Sequence, residues 1–74
     1  MRHAVNVLLD ARQSGATICP SEVARALSKT GWRDLMPDVH NAVDAMVAKR
    51  AMAISWKGRP LTARNGPYRI GKPT

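Results

Sequence analysis

The sequence holds one cysteine, Cys19, no phenylalanine, and aromatic rings only at Trp32, Trp56 and Tyr68. A single thiol cannot form an intrachain disulfide, so the 74-residue chain must be held by packing alone. A chain of this size buries only about 60% of the surface its unfolded form exposes, which makes modest stability the expectation. A lone thiol also suits a reducing compartment, and a cytoplasmic setting follows. No apolar run approaches the roughly 18 residues of a membrane helix. The early stretch AVNVLL is interrupted by Asn6 and soon followed by Asp10, unlike a secretory leader. The expected molecule is one small soluble domain, residues 1 to 74, with no membrane contact.

The most informative absence is that of acid from the C-terminal part. Residues 1 to 44 balance Arg2, Arg12, Arg25, Lys29 and Arg33 against Asp10, Glu22, Asp34, Asp38 and Asp44. Residues 45 to 74 carry Lys49, Arg50, Lys57, Arg59, Arg64, Arg69 and Lys72 and no acidic side chain, so this segment holds the whole net charge of +7. Such a field attracts polyanions, of which nucleic acid is the commonest in a cytoplasm. The plainer alternative is a solubilising surface.

What is present reads as an ordered series of short elements. Residues 3 to 14 place Ala4, Val5, Leu8, Ala11 and Arg12 on one broad face and Asn6, Asp10 and Gln13 opposite, which predicts an amphipathic helix ended by Gly15. Residues 16 to 19 predict a short strand, since Pro20 holds Cys19 extended. A second helix follows over 20 to 29, with Val23 and Leu27 on its inner face, Glu22 near its positive end, and Cys19 or Ser21 as its cap. Leu35, Val39, Ala42, Val43, Met46 and Val47 then recur at helical spacing, predicting a third helix over 34 to 50. Asp34 is its natural cap, and Pro37 is tolerated in its first turn. At Met52 the period changes to two, with Met52, Ile54 and Trp56 on one side, and Tyr68 and Ile70 alternate in the same way. Strands over 52 to 57 and 67 to 71, joined by a glycine-bounded basic loop over 58 to 66, make a β-hairpin.

This order predicts a mainly α, α+β domain: a winged helix-turn-helix of three helices and a two- to three-stranded antiparallel sheet, the hairpin being the wing. Seven residues from Ser28 to Asp34 are longer than the usual turn of that motif. The stretches TICPSEVARAL, WRDLMPDVHNAVDAMVAKRAMAISWKGRP and GPYRI resemble a family of small bacterial domains of unknown function with a winged-helix-like fold. The likeness extends over about residues 5 to 71, with ICPSEVAR and the W-R-x-L-M-P pattern its most specific parts. It implies the fold and supplies no catalytic residues.

Three function classes compete. In nucleic-acid binding, DNA first, the wing residues Lys57, Arg59, Arg64 and Arg69 contact phosphates. On the third helix His40, Asn41 and Lys49 are secondary candidates, Asn41 being able to pair with adenine. Asp34, Asp38 and Asp44 oppose entry of that helix into a groove, so the wing should dominate; four phosphate contacts predict a log–log salt slope near −3.6, at about −0.9 each. A protein-binding module or homodimer would use the acidic outer face of the third helix with Ala45 and Ala48. Catalysis would rest on Cys19, activated at a helix N-terminus. The only histidines, His3 and His40, lie away from Cys19 in this fold, and neither a carboxylate pair nor a glycine-rich phosphate loop is present. No enzyme activity, metal, cofactor or small-molecule substrate is expected, and Cys19 reads as a structural joint. Trp32 and Trp56 read as packing residues rather than stacking platforms.

Overall fold

The computed structural model describes residues 1–12 and 15–73. Helices α1 (Arg2–Asp10), α2 (Pro20–Leu27) and α3 (Trp32–Ala48) are followed by strands β1 (Ala53–Trp56), β2 (Arg59–Leu61) and β3 (Arg69–Gly71). The strands form one antiparallel sheet in the order β2-β1-β3. This is an α+β domain, and its shape is consistent with a winged helix.

The helices follow the apolar periodicity, but their ends are set by caps that periodicity does not encode. α1 stops at Asp10, short of the expected residue 14, and buries Val5 and Leu9; residues 13 and 14 lie outside the described residues. In α2 Pro20 occupies the first helical position, where a missing amide hydrogen is harmless, and Cys19 is the N-cap. The Cys19 amide donates to Glu22 Oε1 at 3.2 Å. Its backbone is thereby committed to the cap, and the expected strand over 16 to 19 is reduced to one bridge, Ile18 to Ile70. α2 ends at Leu27 rather than 29, because Ser28 turns extended and its Oγ accepts from the Gly31 amide at 2.9 Å. Leu27, expected inside, is exposed at that end.

α3 begins at Trp32, two residues ahead of Asp34, and ends at Ala48 rather than 50. Gly31, not Asp34, is the N-cap, and Pro37 lies inside the helix. The indole of Trp32, the first residue of the helix, packs against the core. The α2–α3 connection is therefore residues 28 to 31, shorter than the seven residues expected and consistent in length with a helix-turn-helix. At the other end Ala51 N–H bonds to Met46 C=O at 2.8 Å and Arg50 N–H to Val47 C=O at 2.9 Å, the two bonds of a Schellman motif. Arg50 takes the left-handed position, φ 60°, that glycine usually fills. Arg50→Gly is expected to raise stability by about 1 kcal/mol, the strain of a side chain in that region; an unchanged thermal midpoint would contradict it.

β1 and β3 pair as expected, Ile54 facing Ile70. The intervening segment is more ordered than a loop. Lys57 and Gly58 both have positive φ, 52° and 80°, and form a two-residue hairpin turn that lays β2 along β1, with Trp56 opposite Arg59. Pro60 is tolerated because β2 is an edge strand. Residues 62 to 68 then return to the far side of β1. The result is a row across the sheet, Ile18, Ile70, Ile54 and Leu61, that belongs to the same core as Val39, Val43 and Met46 of α3.

Candidate nucleic-acid interface

The four cations predicted for the wing divide into two pairs. Lys57 and Arg59 flank Gly58 at the wing tip, exposed, with no ion-pair partner among the described residues. Arg64 instead reaches α3, where its Nε and NH2 donate to the two oxygens of Asp44 at 2.8 Å each. The Arg64 hydrogen bond holds the Asp44 carboxyl below the usual carboxylate range. This fork fastens the return segment across α3 and encloses a shallow hollow of about 290 Å³ lined by Val47, Ala48, Ile54 and Thr62. Arg69 turns back along the sheet, its Nε donating to Thr17 Oγ1 at 2.7 Å and its NH2 to the Thr17 carbonyl at 3.0 Å. Both guanidinium groups are spent on holding the wing.

On α3 the exposed stripe is Asp34, Pro37, Asp38, Asn41, Ala45 and Ala48. Asn41 can be reached by a ligand, but it is flanked by carboxylates and has no cation in its own stripe. Lys49 is exposed at the helix C-terminus, beyond the stripe. His40 faces inward: its Nδ1 lies 2.6 Å from the hydroxyl of Tyr68, the buried residue that starts β3's approach. Burial, then repulsion by Arg64, lowers the His40 pKa, with Asp44 opposing. Burial also pushes the Tyr68 phenol up to about 12; Arg64 works against the rise, while Asp44 and Cys19 add to it. The hydrogen bond thus joins two uncharged rings, and the imidazole tautomer sets which of them donates.

This pair predicts a stability plateau. Because the folded His40 pKa lies below its ordinary 6.5, the unfolded chain binds the proton first as pH falls, so stability drops below about pH 6.5. Because Tyr68 ionises near 12 when folded and near 10 when unfolded, its contribution is complete below pH 10 and is lost between 10 and 12. Thermal midpoints across pH should show both limbs, with His40→Asn flattening the acid one and Tyr68→Phe the alkaline one. Unaltered limbs in the variants would assign them to other groups.

A basic cluster not expected from the sequence sits at the turn between α2 and α3. The guanidinium carbons of Arg25 and Arg33 lie 4.4 and 4.6 Å from the Trp32 ring centre. Its signal was an arginine in the last turn of one helix and a Trp-Arg pair opening the next. Arg12 and Lys72, by contrast, pair with Glu22 and Asp10. Cys19 is half-buried, and the Ser21 hydroxyl donates to its Sγ at 3.3 Å. Among the described residues no group of three or more His, Cys, Asp or Glu could hold a metal ion. No helix among them is long and apolar enough to cross a membrane.

A family model described as protein of unknown function (DUF3253) matches residues 1–73. The chain belongs to this family. The matched span takes in the three helices and the sheet together, so both are parts of one family domain. The resemblance carried by ICPSEVAR and WRDLMP pointed to a family of this description. No curated protein matches the sequence.

Proposed function

We propose that this DUF3253 domain binds nucleic acid, DNA first, mainly through phosphate contacts made by Lys57 and Arg59 at the wing tip. The observation that supports this most is the location of unpaired charge: of the four wing cations, these two flank a tight turn and have no carboxylate within ion-pair distance among the described residues. Phosphates position such a protein without specifying sequence, and the acid-flanked stripe of α3 offers no strong base reader. Binding rather than catalysis is the role this supports, in the cytoplasm, where the polyanion is.

Two contacts rather than four set a measurable scale. The log affinity for a B-DNA duplex should fall with log salt at a slope near −1.8, from about −0.9 per neutralised phosphate. Fluorescence anisotropy with a labelled duplex over a salt series gives that slope. Lys57→Ala and Arg59→Ala should each bring it toward zero by about 0.9, whereas Arg64→Ala should leave it unchanged. A flat salt response in the wild type, or no binding at low salt, would overturn the proposal.

A second reading is supported by the α3 stripe, where Ala45 and Ala48 leave room for another helix beside Asp34 and Asp38. A homodimer or hetero-complex through this face would be disrupted by Ala45→Arg with nucleic-acid affinity intact. Sedimentation equilibrium separates the two readings.

A further inference from the structure

The two tryptophans occupy opposite situations. Trp32 packs on the core and has two guanidinium groups over its ring. Trp56 is 38% exposed, and no cation covers its ring among the described residues. It lies on the same side of the sheet as Ile54, one row beyond the last apolar row, where its cross-strand partner is Arg59 rather than a core residue. Partners directly opposite on antiparallel strands place their side chains side by side, with Cβ atoms about 5 Å apart. The next residue, Lys57, is held at φ 52°, a left-handed conformation that a lysine adopts only at some energetic cost. An asparagine or glycine would make the same turn with less strain. An uncovered indole, a guanidinium beside it and a lysine held in a strained turn thus meet within residues 56 to 59.

From this arrangement we infer that Trp56 is a stacking platform for an unpaired base, with Lys57 and Arg59 gripping the phosphates on either side of it. The inference rests on the nucleic-acid reading above and deepens it: the wing's preferred ligand is single-stranded nucleic acid, or a duplex with frayed or flipped bases, rather than a continuous duplex. Stacking requires a free π-face and nearby cations, and every base can supply the other half of the contact, so sequence selectivity is low. The acidic stripe on α3 fits the same ligand. A helix bearing Asp34 and Asp38 on its outer face is repelled from a duplex groove, whereas a single strand can be held at the wing tip alone.

The test uses the full chain, a short single-stranded oligothymidine, and a blunt duplex with the same number of phosphates. Intrinsic tryptophan fluorescence should be quenched by the single strand and little affected by the duplex. Trp56→Leu should weaken single-strand binding about tenfold and change duplex binding less than twofold. Trp56→Phe, which keeps an aromatic face in the sheet, should recover most of the lost affinity and covers the case in which the leucine variant folds poorly. Lys57→Ala should weaken both ligands. Equal loss on both ligands for Trp56→Leu, or a phenylalanine variant no better than leucine, would overturn the stacking role. Duplex binding with the expected salt slope but no quenching by the single strand would defeat this inference and leave the nucleic-acid reading standing. Absence of binding to either ligand at low salt would defeat both.

Discussion

Ile70→Ala is expected to destabilise the protein by about 2–5 kcal/mol, the range for truncating a buried branched side chain to alanine. Ile70 is fully buried, faces Ile54 on β1, and exchanges both backbone hydrogen bonds with Ile18 at 2.8 Å. It joins β3, β1 and the segment ahead of α2. Its side chain belongs to the buried core that also holds the α3 residues Val39 and Val43, and truncation to alanine leaves a hollow there. Domains of this length carry roughly 4–11 kcal/mol in total, at about 0.05–0.15 kcal/mol per residue, so the variant approaches the unfolding limit. Urea denaturation should show a lower midpoint at unchanged slope. Ile70→Val should lose only about 0.5–1.5 kcal/mol. A loss below 1 kcal/mol for alanine would mean that the sheet is not held at this point.

Pro37→Ala should act in the opposite direction. Pro37 is exposed and lies well inside α3, where it cannot donate to the carbonyl of Arg33 and its ring crowds that group. Alanine removes a penalty of about 3 kcal/mol. The freer unfolded chain takes back about 0.4–1 kcal/mol. The net gain expected is about 2 kcal/mol, read as a higher urea midpoint. Had the helix begun at Asp34, as the sequence alone suggested, Pro37 would lie in its first turn and the substitution would be nearly neutral. The measurement therefore also tests where α3 starts.

That disagreement over Pro37 shows where the sequence stops informing. Periodicity located the buried stripe of α3, because Val39, Val43 and Met46 must repeat at the helical period to face one core. Alternation located β1 and β3 for the equivalent reason. Ends were harder, since a cap depends on single bonds such as Gly31 N–H to Ser28 Oγ, and side chains at the ends overrun the core, as Leu27 and Trp56 do. β2 reads as loop because glycines bound residues 58 to 66 and the Asn65-Gly66 pair marks a turn at their end, whereas the two-residue turn lies at Lys57-Gly58.

The candidate site divides along the same line. Exposed charge at the wing tip was legible from composition. The fates of Arg64 and Arg69 were not, because their partners lie 20 and 52 residues away in the chain. His40 was placed outside because helical geometry alone does not reveal that a tyrosine 28 residues later will reach its ring. The arginines on Trp32 could have been found only by knowing how short the turn between α2 and α3 is.

The bridge between Ile18 and Ile70 also fixes the order of events during synthesis. The helices can form as they emerge from the ribosome, but the residue that closes the sheet is added 52 positions after its partner. At roughly 5–20 residues per second, that interval is about 3–10 s. Throughout it Ile18 lacks its bridge partner, and β1 and β2, once made, still lack the strand that completes the sheet.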